Sequence, residues 1–189
     1  MSSRKKEVGV DMGLKDEEKA DLLNLVKSVV ESKSKGEKAP RYSPSSETLK
    51  EKRGAFVTIH KNGMLRGCIG WLEATKPLYE TVEEMAEAAA FRDPRFRPIA
   101  SDELEMLDYE ISVLTPFQRV QDVNEIQVGI HGILIRNGTR SGLLLPQVAT
   151  ERNWDRNTFL EETCRKAGLA RDTWKDPSTE IYVFSADVF

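Results

Sequence analysis

An Asn-Gly pair between two short apolar runs is the feature that most constrains this fold. Asn62-Gly63 follows the β-branched and aromatic run 55–60 and precedes a second strand-like run, 65–71. Asn-Gly in this setting is a strong signal for a two-residue β-hairpin turn, because both residues tolerate positive φ angles. The sequence therefore predicts an antiparallel hairpin around this turn.

A second Asn-Gly pair, Asn137-Gly138, lies 75 positions further along the chain. In both places a glycine follows four residues after the turn glycine, at Gly67 and Gly142, and then an amphipathic helix and a late strand. Asn-Gly turns are common enough to coincide, but the shared order favours an internal duplication. Each half, 54–116 and 129–187, is predicted to form a hairpin, a helix and a strand. Hairpins without a continuous βαβ pattern predict an α+β protein with a mainly antiparallel sheet.

The remaining segments have simpler patterns. One amphipathic helix is predicted over 15–34, with acidic residues at its start and lysines toward its end. The polar, breaker-rich stretch 32–46 is predicted as a loop or linker. A short helix is predicted from about Ser43 to Lys52, and a longer amphipathic helix is predicted to begin at Pro77.

Composition excludes several classes of protein. The net charge of −3 argues against nucleic-acid binding, and no run approaches the roughly 18 apolar residues that a membrane span needs. Residues 1–6 lead into acidic residues rather than an apolar run, so no secretory signal is expected. Two cysteines cannot form a disulfide framework, which favours a cytoplasmic location. The two histidines and two cysteines show no zinc-type spacing, so no metal site is predicted.

Cys68 is the strongest candidate for a reactive group in the sequence. A two-residue turn at Asn62-Gly63 would pair Cys68 with Val57 and Arg66 with Ile59, and strand alternation would place Arg66 and Cys68 on one face. A guanidinium group near a thiol favours the thiolate, which is the nucleophilic form. The adjacent Gly67 would let a ligand approach the backbone closely. The alternative is a small buried hydrophobe, which is the common fate of a free cysteine.

The other cysteine and the two histidines are weaker candidates. His60 would pair with Leu65 and so lie on the face opposite Cys68, which argues against a dyad of these two residues. His131 belongs to the other hairpin and stays a candidate for the site. Cys164 follows the apolar spacing of its helix and is predicted to be part of the core.

Arginines and one amide complete the set of candidates. The segment 92–98 contains three arginines, of which Arg92 and Arg95 are candidates for binding an anion. Arginines after a helix also stabilise its dipole, and this explanation has equal weight. Gln147 either lines a pocket or ends a strand in solvent. Glu103 and the other helix carboxylates are predicted to lie on the surface.

The hairpin also carries a family resemblance. Leu-Arg-Gly-Cys-Ile-Gly at 65–70 is similar to a six-residue signature of the AMMECR-type domain family, named for the Alport syndrome, mental retardation, midface hypoplasia and elliptocytosis chromosomal region. Further matches follow in order along the chain, at Ala90–Phe96, Tyr109–Leu114, His131-Gly132, Gly142–Ala149 and Phe159–Leu169. The resemblance extends from the first helix to Phe189, and the chain is identified as an archaeal or bacterial member of this family.

The resemblance implies an α+β fold, with a larger and a smaller subdomain and the signature near a groove between them. It implies that 1–189 is a single domain of this type. Relatives occur alone or fused to Memo-like and radical S-adenosylmethionine domains, which makes proteins of those two kinds possible partners. Such company implies an enzymatic or accessory role in a modification pathway, with no established reaction and no known cofactor.

Two functions of different classes follow. In the first, the protein is a groove-type enzyme or accessory factor in which Cys68 reacts with a small or anionic ligand. The residues expected to bind that ligand are Arg66, Gly67, Arg92, Arg95, His131 and Gln147. In the second, the protein is a noncatalytic module that binds a protein or a nucleic acid, and Cys68 is structural.

Overall fold

The computed structural model describes residues 13–44 and 46–189, so the expectation about residues 1–6 lies outside the described part of the chain. The described ranges contain four helices, α1 (Asp16–Ser34), α2 (Leu78–Phe91), α3 (Pro146–Glu151) and α4 (Arg156–Lys166). They contain eight strands, β1 (Ala55–Lys61), β2 (Met64–Trp71), β3 (Leu107–Leu114), β4 (Gln118–Arg119), β5 (Gly132–Asn137), β6 (Arg140–Leu144), β7 (Glu180–Phe184) and β8 (Ala186–Val188).

These elements form two compact units. The N-terminal unit comprises 13–114 with 188–189, and the C-terminal unit comprises 115–187. One four-stranded sheet has the order β2-β1-β3-β8 and the other has the order β4-β7-β5-β6. The hairpins and the strands beside them pair antiparallel, which confirms the predicted α+β class.

In the N-terminal unit, α1 and α2 contact each other, and α2 also contacts both strands of the hairpin. Helix α1 begins and ends close to the predicted residues, and α2 begins next to the predicted Pro77, because the apolar spacing of each helix gives it a face to bury. The core of this unit includes the buried residues Leu22, Val26, Val29, Val57, Ile59, Leu78, Val82, Ala86, Ala89, Ile111 and Val113.

The predicted helix from about Ser43 to Lys52 is wrong in extent. Only a 3-10 turn, Thr48–Lys50, is present in this stretch, and Ser45 lies outside the described residues. After the turn the chain is extended: Lys52 forms a β-bridge with Pro77, and the Glu51 carbonyl accepts a hydrogen bond from the first residue of α2. These backbone bonds satisfy groups that a longer helix would have used.

The C-terminal unit contains the second predicted hairpin. Its turn residues are Gly138 and Thr139, because Asn137 pairs directly with Arg140. The predicted cap of α4 is present, since Gly168 has φ +72° and lies just beyond the helix. The unit's core cluster consists of Ile126, Ile133, Ile135, Ala149, Phe159, Leu160, Cys164, Ile181 and Val183.

A glycine in each hairpin allows the second strand to approach a helix of the same unit closely. A Cβ atom on Gly67 would overlap the carbonyl oxygen of Ala89 in α2, and one on Gly142 would overlap the backbone of Ala167 at the end of α4. The expectation that Gly67 exposes its backbone to a ligand is therefore wrong. The space that its side chain would fill is occupied by the helix.

Candidate functional site

The ladder between β1 and β2 contains a β-bulge that turn geometry alone does not predict. The residue pairs next to the turn follow the prediction. Further from the turn, Ile59 lies opposite Gly67 rather than Arg66. The next pair is Thr58 with Cys68. Arg66 is thus the extra residue of the bulge, and the local twist and bend it causes are typical of such insertions.

The bulge changes which side chains share a face with Cys68. Shifting a strand by one residue moves its side chains to the other face relative to the neighbouring strand, so the predicted pairing with Val57 is wrong. Cys68 shares a face with Thr58 instead. His60 is two residues from Thr58 on β1 and lies on that face too, so the predicted placement of His60 opposite Cys68 is also wrong.

We call the face of the first sheet that lies opposite α2 the far face. It is formed by three adjacent strands and comprises Phe56, Thr58, His60, Cys68, Gly70, Asp108, Glu110 and Ser112. Directly opposed residues on neighbouring strands lie about 5 Å apart. Cys68, Thr58 and Glu110 therefore form one row across the sheet, and His60 and Asp108 form a pair in the next row.

The thiol of Cys68 has a defined partner on the far face. The Oγ1 hydroxyl of Thr58 donates a hydrogen bond to Sγ over 3.3 Å. Thr58 is buried and Cys68 is half-buried. This contact fixes the position of the sulfur on the far face.

Side chains close the outer edge of β2 at Cys68. The Cys68 amide donates to Oδ2 of Asp93 over 2.9 Å, and Nη2 of Arg95 donates to the Cys68 carbonyl oxygen over 3.1 Å. Two further bonds, of 3.0 and 2.7 Å, join Arg95 to Asp93. An edge strand normally leaves its outer backbone groups unpaired. Here Asp93 accepts from the Cys68 amide and Arg95 donates to the Cys68 carbonyl, so both outer backbone groups of this residue are paired.

The arginines that were predicted to bind an anion, at 92–98, have carboxylate neighbours within the protein. Hydrogen bonds from the Arg95 side chain hold the pKa of Asp93 well below its usual range, and the Cys68 amide adds to this effect against the opposing cost of burial. Arg95 is thus bound to an internal carboxylate. Arg92 is exposed and lies 3.8 Å from the carboxylate of Glu87.

Arg66 is the centre of a second ion-pair cluster. Its Nε and Nη2 atoms donate to the two carboxylate oxygens of Glu103 over 3.0 and 2.9 Å, and its Nη1 donates to the carbonyl oxygen of Arg97 over 2.8 Å. Lys61 adds a bond of 2.8 Å to the same carboxylate. These donors, with Arg66 the strongest, lower the pKa of Glu103 to about 2. The cluster ties the bulge to the 3-10 turn at Ser101–Met106.

The remaining predicted residues lie in the C-terminal unit. Nδ1 of His131 accepts a hydrogen bond from the Gln127 amide over 3.2 Å, and burial lowers the pKa of His131. Gln147 is the second residue of α3 and is half-buried. Cys164 is fully buried within the core cluster, as predicted, and its burial raises its pKa.

Two features are absent from the described ranges, 13–44 and 46–189. They contain no group of three or more His, Cys, Asp and Glu side chains that could hold a metal ion. They also contain no helix that is both long enough and apolar enough to span a bilayer.

Three residues of the Cys68 site were not identified from the sequence. Asp93 precedes a proline and has the pattern of a turn, Glu103 has the pattern of a surface carboxylate, and Thr58 is one of several β-branched strand residues. One signal could have found Glu103. An arginine in a half-buried strand needs a neighbouring negative charge. Arg66 therefore predicts that a carboxylate from another part of the chain lies beside it.

Comparison with known proteins gives consistent results. The family model described as AMMECR1 matches residues 23–189. A protein of Methanothermobacter thermautotrophicus is 41% identical over 183 residues, covering 93% of this chain and 95% of that protein. A protein of Methanopyrus kandleri is 44% identical over 182 residues, covering 92% and 88%. The crystal structure of an uncharacterized protein from Pyrococcus horikoshii matches with a TM-score of 0.87 at 38% identity, covering 93% of this chain and 92% of that one.

Proposed function

The chain belongs to the AMMECR1 family, and from that premise we propose that it is an enzyme or accessory factor of a modification pathway in which the Cys68 thiol is the reacting group. The observation that carries this proposal is the hydrogen bond from Thr58 to Sγ on the far face. Memo-like and radical S-adenosylmethionine proteins are the proposed partners in that pathway.

The surroundings of Cys68 support a chemical role because they hold the residue in one position. Its amide and carbonyl are both bound by the Asp93–Arg95 pair, and the bulge beside it is held by the contact of Arg66 with Glu103. Fixing a reactive group through supporting hydrogen bonds is how proteins prepare a site for reaction. Arg66 and Arg95 are therefore proposed as positioning residues.

The charges of the far face favour one kind of ligand. Glu110 lies opposite Thr58, and Asp108 lies opposite His60, so two carboxylates belong to the same surface as the thiol. Carboxylates repel an anion, whereas the two nearby arginines are already bound to Glu103 and Asp93. We therefore propose that the ligand is a small neutral or cationic molecule rather than an anion.

The proposed reaction class is group transfer through the thiol. With an acyl donor, Sγ forms a bond to the carbonyl carbon, and the leaving group departs with the bonding electrons. The thiol proton is released to solvent and the leaving group takes up one proton from solvent, so the products are a thioester and a neutral leaving molecule.

An activated ester tests this proposal directly. The intact protein is incubated with p-nitrophenyl acetate near neutral pH, the release of p-nitrophenolate is followed, and peptide mass mapping locates the acetyl group. We expect one acetyl group on each chain, at Cys68, with none on Cys68→Ser. Thr58→Val should slow the reaction, and the matched variant Cys164→Ser should leave it unchanged. Acetylation that is absent, or spread over lysines, would contradict the proposal.

A second function is supported by a different observation. Three apolar side chains near the β1–β2 turn are exposed: Met64 by 75%, Leu65 by 43% and Met106 by 36%. Met106 is beside the turn, because its carbonyl accepts a hydrogen bond from the Asn62 amide over 3.1 Å. Exposed methionines are typical of surfaces that bind other proteins. In this case the protein is a noncatalytic binding module and Cys68 is structural.

One double variant, measured beside the parent protein, separates the two functions. Met64→Lys combined with Met106→Lys changes the exposed apolar side chains and leaves the far face intact. If the thiol is the reacting group, this variant is acetylated at Cys68 at the rate of the parent protein. If the protein is only a binding module, the parent itself shows no selective acetylation at Cys68.

A further inference from the structure

We propose that the C-terminal unit contains a second site, a pocket that binds a small aromatic anion. A cavity of about 430 Å³ lies where β6, α3 and α4 meet. Its lining divides into an apolar part, formed by Leu144, Val148 and Trp154, and a cationic part, formed by Arg152, Arg165 and Lys166. The proposal is independent of the Cys68 chemistry, because all of these residues belong to the C-terminal unit.

The apolar part of the pocket is fixed by the core of the unit. Leu144 and Trp154 are partly buried and pack against the core cluster, so they present stable apolar surface to the cavity. The guanidinium carbon of Arg152 lies 5.3 Å from the centroid of the Trp154 ring. This contact places the cation over one face of the indole ring and holds the guanidinium group at the cavity.

The charge of the pocket is positive even after its carboxylate is counted. Glu162 is only 10% exposed and is bound by Arg165 over 2.6 Å and by Arg171 over 3.2 Å. Its charge is therefore already compensated, and Arg152 and Lys166 supply additional positive charge at the cavity. The net charge of the whole chain is −3, so the charge at the cavity has the opposite sign to that of the chain as a whole. Such an excess attracts an anion and raises its local concentration.

The size and the lining together define the class of ligand. Pockets for small molecules measure about 300 to 1,000 Å³ and combine an apolar lining with a few polar groups that fix orientation. An aromatic body would contact Trp154, and a carboxylate or phosphate group would contact Arg152 and Lys166. Simple aromatic acids and mononucleotides share this chemistry, so the experiment includes one of each.

The test is a set of calorimetric titrations of the full chain. The probes are 2-naphthoate and AMP, each paired with its uncharged counterpart, 2-naphthamide or adenosine. At least one anion should bind tenfold or more tightly than its counterpart, and the anion that binds identifies the source. Lys166→Gln and Arg152→Gln should each weaken that binding about tenfold. Lys175→Gln makes the same charge change at a position that does not line the cavity, and it should alter binding less than twofold.

Three results would overturn the proposal. These are no binding of either anion, equal binding of an anion and its neutral counterpart, or a loss with Lys175→Gln as large as the loss with Lys166→Gln. Both pocket substitutions affect exposed side chains, and circular dichroism establishes that the variants are folded.

Discussion

The two hairpins of this chain begin from similar sequences and differ by one inserted residue. In the first, the turn residues Asn62 and Gly63 have φ angles of 51° and 77°, and the second strand contains the bulge at Arg66. In the second, Gly138 has φ 57° and begins the turn, and the ladder runs from turn to end without a register shift. The regular hairpin packs a core, whereas the bulged hairpin also holds an ion-pair cluster and a thiol.

The comparison teaches that a single added residue can change which side chains share a face of a hairpin. In both units the hairpin's first strand is central, and the later strand pairs with it, giving β2-β1-β3 and β6-β5-β7. We propose that the halves 54–116 and 129–187 arose by duplication within one domain spanning 1–189, and that the insertion followed in the first copy. The glycine–alanine contact that both units contain supports this proposal.

The largest expected effect tests what the hairpins share. Gly67→Ala and Gly142→Ala each place a methyl group against backbone atoms, of Ala89 in α2 and of Ala167 at the end of α4, which cannot move aside as a side chain would. Each substitution should lower the free energy of unfolding by about 3 kcal/mol, at the upper end for overpacking. Urea unfolding of the two variants and the parent protein measures this.

Gly70→Ala is the matched control for these two. Its added methyl group would contact the ring of Phe56, a side chain that can rotate, so it should destabilise less than Gly67→Ala. A small loss for Gly142→Ala beside a large loss for Gly67→Ala would show that the two hairpins do not share this packing.

The next effect belongs to the bulged hairpin alone. The pKa of Glu103 in the folded protein is about 2, against an ordinary value of 4.5, so its ion pairs stabilise the fold above pH 4.5 and this contribution is lost as the pH falls toward 2. Glu103→Gln should cost about 3 kcal/mol at pH 7. The difference from the parent protein should shrink steadily between pH 4.5 and 2.

Unfolding in urea across this pH range measures the difference. Glu105→Gln is the control, because Glu105 is an exposed carboxylate in the same 3-10 turn and should have little effect at any pH. If Glu103→Gln costs the same at pH 2 as at pH 7, its ion pairs do not stabilise the bulge.

A smaller effect concerns the edge of β2. Asp93→Asn removes the charge that binds Arg95 and weakens the acceptor for the Cys68 amide, which should cost about 2 kcal/mol. Hydrogen exchange should accelerate at the Cys68 amide and stay slow at Ile135, a central-strand residue of the other hairpin. Unchanged exchange at Cys68 would mean that Asp93 does not hold this edge.

Much of the fold was predictable from the sequence because its signals are local. The turn at Asn62-Gly63, the apolar spacing of α1, α2 and α4, and the cap at Gly168 each depend on neighbouring residues. The same local reasoning placed Cys164 in the core.

The candidate site was less predictable because its contacts join distant parts of the chain. Glu103 is 37 residues from Arg66, and Asp93 is 25 residues from Cys68. Rules for turns depend on neighbouring residues and do not predict such distant contacts. The bulge lies beside these contacts, and because of it the prediction assigned Thr58, His60 and Val57 to the wrong faces of the sheet relative to Cys68. Because the predicted register was wrong by one residue, the sequence did not identify Thr58 as the hydrogen-bond partner of the Cys68 thiol.

The central claim is that the bulge presents Cys68 beside Thr58 as a reactive thiol, while Cys164 is inert in the core of the other unit. The most direct test is the rate at which iodoacetamide modifies each cysteine in the native protein near pH 7, measured by peptide mass mapping. We predict rapid modification of Cys68, slower modification of Cys68 in Thr58→Val, and modification of Cys164 only after denaturant is added. If Cys68 is also spared until denaturation, or if Cys164 reacts at an equal rate, the claim is contradicted.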